Sequence, residues 1–230
     1  MKRANHSVWP LMLAAMLISL SQLAAQTSSR YTIQPGSRLW MAGSSNIRDW
    51  TAEASELDGF VEIALPATEA NPEDLNLSGD AIDNLPRVEL SIPVAGLKSG
   101  HKIMDKKIAA ALKAKSQPVI HYELLKANVV GQWPGDSSPF DLWTLGKLKV
   151  AGMERLIETL VAVQFLADGQ LLITGTLGLK MSDFGVEAPK ALVGLLVTDD
   201  DIEIHFSLGM VVEPGLESLL RRAWVLTALN

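Results

Sequence analysis

The sequence has no cysteine. That absence excludes a disulfide framework, a thiolate zinc site, an iron–sulfur cluster and a cysteine nucleophile. Basic residues are in the minority, with 20 Lys and Arg against 26 Asp and Glu, and the net charge of −6 argues against a general nucleic-acid binder. Aromatic residues make up only 6%, which speaks against an outer-membrane barrel with aromatic girdles, as does the terminal Asn230. No stretch approaches the run of about 18 apolar residues that a transmembrane helix needs. There is no Gly-x-Ser-x-Gly elbow, His-Glu-x-x-His pair, Walker loop or Rossmann glycine pattern. No enzymatic activity, metal or cofactor is therefore expected. What remains is a chain of 230 residues, 48% hydrophobic, long enough for one domain with a core that needs no covalent staples.

The start of the chain reads as a signal peptide. Met1-Lys2-Arg3 is basic, Leu11 to Leu20 is a short apolar run, and Ala24-Ala25 offers a small-residue cleavage site. An uncleaved anchor is the alternative, and so short a run disfavours it. No Cys stands at the cleavage point to carry a lipoprotein anchor. Residues 1–25 contain Lys2 and Arg3 and no acid, so their removal takes the charge from −6 to −8. The expected location is periplasmic or secreted. The expected organisation is a signal peptide over 1–25, one β-barrel domain over 26–213 and a helical tail over 214–230.

The rest alternates apolar and polar residues with period two, the pattern of strands with one buried face. Val61, Ile63 and Leu65 alternate in this way, as do Val88, Leu90, Ile92 and Val94. The same holds for Ile120, Tyr122 and Leu124, for Ile173, Leu177 and Leu179, and for Ile202, Ile204, Phe206, Leu208 and Met210. Segments 37–43, 142–151 and 156–165 are less clean strands. Asp58-Gly59, Asn71-Pro72, Pro134-Gly135-Asp136 and Asp168-Gly169 read as turns, the last as the best hairpin turn. Pro93 suggests an edge or a bulge, and Ser78 to Asn84 a loop.

Two helices interrupt this pattern. Ile103 to Lys115 places Met104, Ile108, Ala111 and Leu112 at helical spacing, with Ser99-Gly100 as the cap region. A second helix is expected from Leu216 to about Leu226. The fold class is thus all-β: about eight antiparallel strands forming a closed barrel or a sandwich, with one inserted and one terminal helix.

Four pieces of the chain resemble the YceI-like family of exported bacterial proteins. The first is Gly43-Ser44-Ser45-Asn46-Ile47-Arg48-Asp49-Trp50-Thr51. The second runs from Val88-Glu89-Leu90-Ser91-Ile92-Pro93 through Gly96-Leu97-Lys98-Ser99-Gly100, Met104-Asp105 and Ala111-Leu112-Lys113-Ala114 to Pro118-Val119-Ile120. The third is Leu148-Lys149-Val150-Ala151-Gly152, and the fourth is Lys180-Met181-Ser182-Asp183-Phe184-Gly185-Val186. Their order and spacing cover roughly residues 31–212. The resemblance implies an extended, lipocalin-like barrel with a helix across one end and a channel for an isoprenoid or similar chain. The chain departs from it at Asn46-Ile47-Arg48, where many relatives carry His, in a longer loop from Val130 to Asp141, and beyond Glu213.

The expected ligand contacts are the apolar strand positions Val61, Ile63, Leu90, Ile92, Tyr122, Phe165, Leu177, Leu179, Met181 and Phe206, with Phe184 from the Asp-Phe-Gly piece. Plain core packing explains any one of them. As a set, they must either fill a barrel or surround an apolar guest. His121 and His205, beside Glu123 and Glu203, read as surface pairs rather than metal ligands. Asp199-Asp200-Asp201 reads as a solvated turn. The six lysines between Lys98 and Lys115 read as a solvated helix face, or as a lid that meets anionic headgroups. Three functions stay open: a barrel that binds or carries a lipid, an interaction module with a filled core, and an enzyme should His121, His205 and nearby acids converge. The first is preferred. The expected partner is an apolar lipid or isoprenoid, with no nucleic acid and no transmembrane span; the oligomeric state is open, a dimer being one option.

Overall fold

The computed structural model describes residues 27–65, 86–130, 138–166, 169–188, 190–191 and 196–213. The signal segment, Asn71-Pro72, Ser78 to Asn84, Trp133 to Asp136, Asp168 and the expected helix from Leu216 lie outside these residues.

Twelve strands follow in chain order. They are β1 (Thr27–Ile33), β2 (Arg38–Ser45), β3 (Trp50–Ala54), β4 (Asp58–Leu65), β5 (Arg87–Pro93), β6 (Leu97–Lys98), β7 (Val119–Val130), β8 (Phe140–Val150), β9 (Met153–Phe165), β10 (Leu171–Lys180), β11 (Lys190–Ala191) and β12 (Leu196–Val212). One α-helix, α1 (Lys102–Ala111), lies between β6 and β7.

Eight of these strands close a ring in the order β1-β4-β5-β7-β8-β9-β10-β12, with β12 pairing back onto β1. All recorded pairings in it are antiparallel, as the sequence predicts. The remaining wall strands are continuations of ring strands. β12 is long enough to pair with β1 near Met210 and with β2 from Thr198 to Ser207. β1 bends into β2 at Gly36, where φ is +94°. β3 likewise runs on into β4, and β5 runs through a 3-10 turn at Val94–Gly96 into β6. Eight sequence-expected strands and eleven of the twelve observed ones therefore describe one barrel, three of whose staves are bent; the two-residue β11 pairs with β12 off this path.

Several expectations need correction. Asp58-Gly59 is not a turn but the start of β4. A Cβ at Gly59 would lie 2.5 Å from the carbonyl of Glu89, so this glycine serves the close approach of β5. The Val130 to Asp141 loop is shorter than expected, because Phe140 and Asp141 already pair in β8. Asp199 to Asp201 do not form a turn; they lie inside β12 at a register shift between Thr198 and Ile202. Each of the three carboxylates has a partner: Ser44 Oγ donates to Asp199, Ser182 donates twice to Asp200, and Lys180 pairs with Asp201. Pro93 ends β5 beyond the last β4 partner, Ser91, so its missing N–H costs no ladder bond.

The helix begins close to the expected place but ends at Ala111 rather than Lys115. Lys113 adopts φ +56°, a left-handed residue that stops the helix. Its N-cap is His101, which makes no side-chain cap bond. Ser99 acts differently from a cap: its N–H and hydroxyl both donate to Asp105 in the first turn, at 2.7 and 2.6 Å. Ile108 and Leu112 are buried against the barrel, with Met104 and Ala111 beside them. Lys102 and Lys106 face solvent, and Lys107 is exposed at the rim of the cavity. The helix thus closes one end of the barrel with its apolar side.

Candidate functional site

The inward side chains form two clusters along the barrel axis. The one at the helix end gathers Leu39, Met41, Ile92, Leu97, Ile108, Ile120, Leu148 and Phe184. The one at the far end gathers Tyr31, Val61, Ile63, Phe140, Val161, Val163, Leu171 and Met210. Neither fills the space between the walls. A cavity of about 640 Å³ is lined from both clusters, so it runs along the axis. This is within the range of roughly 300–1,000 Å³ usual for small-molecule sites.

All eleven residues named from the sequence border this cavity: Val61, Ile63, Leu90, Ile92, Tyr122, Phe165, Leu177, Leu179, Met181, Phe184 and Phe206. They do so because alternate residues of a strand point to one side of the wall. The 3-10 turn Met181–Phe184 adds its two buried apolar residues at the helix end. Asp200 holds this turn through the Ser182 amide and hydroxyl, and those bonds keep its carboxyl below the ordinary range.

Sequence reasoning missed other lining residues, among them Trp50, Met104, Leu142, Val161 and Val163. The last three share the phase of their strands, so stricter reading of 142–151 and 156–165 would have found them. Trp50 gave no such signal. Its strand is short, and its ring is placed by Gly43, its cross-strand partner.

That relation recurs. Phe206 lies over its partner Gly175, and Tyr122 lies over Gly146 on the adjoining strand. In each case a Cβ on the glycine would collide with the ring. The missing side chain lets the ring lean on the wall instead of crossing the lumen.

Polar groups on the lining are few and mostly satisfied. Thr144 Oγ1 donates to the Thr159 carbonyl at 3.0 Å, and burial pushes the Tyr122 phenol up. Trp50 Nε1 is the exception, a buried donor with no partner among the described residues. Arg48, His101 and Lys107 stand on the lining at the helix end.

The histidines are not brought together. His121 bonds Ser91 on β5, whereas His205 bonds Thr176, lies 3.4 Å from Glu203 and stacks on Trp40. Among the described residues no three His, Asp or Glu side chains are grouped to hold a metal. No described helix is long and apolar enough to cross a membrane.

The geometry defines a class: a closed antiparallel barrel around an elongated apolar lumen, with a helix across one end. The chain belongs to the YceI-like family, whose domain model matches residues 31–210. A comparison with curated proteins finds no match. Among solved structures it is similar to a polyisoprenoid binding domain from Saccharophagus degradans, at 16% identity and TM-score 0.59, over 80% of this chain and 98% of that one. It is also similar to BcnA from Burkholderia cenocepacia, at 15% identity and TM-score 0.56, over 77% of this chain and 98% of that one. Likeness at such identity concerns the fold.

Proposed function

We propose that this protein is an exported, periplasmic carrier that holds one long apolar chain, isoprenoid-like or similar, inside its barrel and does no chemistry on it. The carrying observation is the continuous apolar lumen of about 640 Å³. An interaction module with a filled core would have no such space. Each CH₂ moved from water into the lumen contributes about 0.8 kcal/mol, so a chain of a dozen carbons can bind without a strong polar anchor. Val61, Ile63, Leu90, Ile92, Leu177, Leu179 and Met181 supply aliphatic surface to the guest, and Tyr122, Phe165, Phe184 and Phe206 supply aromatic surface. The Saccharophagus domain, called polyisoprenoid binding, supports the choice of ligand class.

The test is a fluorescence titration with a polyene fatty acid, displaced by farnesol and by longer polyprenols. Saturable binding of the probe, with tighter displacement as the chain lengthens, is expected. Absence of saturable binding in delipidated protein would refute the reading.

A further inference from the structure

We propose that the seam between β9 and β10 is a side portal, through which the chain of a single-tailed lipid enters and leaves the lumen. This rests on the lipid-binding reading above. β9 pairs with β8 from Met153 to Val163, and β10 pairs with β12 from Leu171 to Lys180. Between β9 and β10 the register holds only from Leu171 opposite Phe165 to Gly175 opposite Val161. Beyond that point Met153–Leu160 and Thr176–Lys180 run on without pairing to each other. One side-chain bond, from Thr159 Oγ1 to the Thr176 carbonyl at 3.4 Å, crosses just below the last pair. A wall held by so little opens at lower cost than a paired one.

The seam carries apolar side chains on both faces, with Glu158 between the two outer leucines, where Trp143 Nε1 donates to it. On the inner side Ile157, Leu177 and Leu179 line the cavity. At Gly178 there is no side chain, and a Cβ there would meet nothing within 4 Å. On the outer side Leu156 and Leu160 are 64% and 51% exposed, although the outward phase of a barrel wall is ordinarily polar. Single exposed leucines need no explanation. These two stand on the strand that borders the gap. A route past α1, where the lining reaches the exposed Ile103, would have to move the buried side chains of Ile108 and Leu112. Passage through the seam moves the half-buried Ile157, Leu177 and Leu179 instead.

The native absence of cysteine allows a direct test. Glu158→Cys and Gly178→Cys place two thiols on the outward positions that would face each other if the pairing continued. A short bis-maleimide then bridges them, and the same double variant capped with N-ethylmaleimide is the control. Transfer of cis-parinaric acid between phosphatidylcholine vesicles and the protein is followed by stopped flow. The bridge is expected to slow uptake and release alike, by about tenfold or more, leaving the equilibrium affinity within about twofold. Unchanged rates across the bridge would overturn the portal. So would slower uptake with unchanged release, which marks damage to the bound state rather than a closed route. If the unmodified protein does not bind parinaric acid at all, the lipid-binding reading itself falls, and the portal with it.

Discussion

The ring of Tyr122 lies over Gly146 on the neighbouring strand, in space that any Cβ at position 146 would claim. Two further inward glycines, Gly43 and Gly175, carry Trp50 and Phe206 in the same manner. Glycine weakens a strand interior, and an aromatic partner across the ladder recovers part of that loss. Here the arrangement also sets the bore of the lumen, because a ring that leans on a glycine does not project toward the axis.

Gly146→Val is expected to push the Tyr122 ring into the lumen. Overpacking of this kind costs about 1–3 kcal/mol. The displaced ring blocks the guest, so affinity for a long-chain probe should fall by about tenfold or more. A fluorescence titration measures the affinity, and thermal unfolding measures the stability. Loss of stability with unchanged affinity would show that the ring does not border the guest.

Ile204→Thr tests the lumen without a change of strand propensity, since both residues are β-branched. Ile204 lines the cavity. A hydroxyl covered by an apolar guest costs about 1–3 kcal/mol, so binding should weaken by roughly 5- to 150-fold. Tm of the empty protein should move by only a few degrees, because an unoccupied lumen can hydrate the hydroxyl.

Leu112→Ala tests the closing of the helix end. Leu112 is 9% exposed and packs into the helix-end cluster. The expected loss is about 2–5 kcal/mol in unfolding free energy, read from urea denaturation. Amide exchange should rise in Lys102–Ala111 more than in β8. Uniform loosening of the whole barrel would contradict the account of α1 as a separately seated element.

The acid limb of stability should show two clamps. Hydrogen bonds from Ser99 hold the Asp105 carboxyl low, chiefly through the Ser99 hydroxyl, and those from Ser182 do the same for Asp200. A carboxylate whose folded value is depressed stabilises the fold above its unfolded value and loses that contribution as pH falls through the folded one. The ordinary value is 3.8, so neither clamp weakens near neutral pH, and both weaken below that value. Asp200→Asn should remove the acid-dependent rise in exchange at the Ser182 amide, leaving the one at Ser99 in place.

The strands were legible because the barrel has one wet face and one apolar face, and alternation records that directly. Segments such as Ile120 to Leu124 and Ile202 to Met210 carry their own address, and the residues that border the lumen follow from phase. β1 and β3 were not legible. Thr27-Ser28-Ser29-Arg30 is polar, and Trp50–Ala54 is too short for a period to show. Asp199-Asp200-Asp201 misled for another reason: three acids in a row suit a solvated turn, and only tertiary partners on Ser44, Ser182 and Lys180 hold them in a strand. The glycine–aromatic contacts and the half-paired seam depend on register between strands, which no single segment contains. Gly146 and Tyr122 are 24 positions apart, with an irregular ladder between their strands.

The most direct test of the central claim is native mass spectrometry of protein purified without detergent from a bacterial host that exports it, followed by lipid extraction. A mass increment matching one long-chain lipid per barrel, recovered in the organic phase and lost in Gly146→Val, is the predicted result. Protein that runs at its bare mass in repeated preparations, and takes up neither polyprenols nor fatty acids when they are supplied, would contradict it.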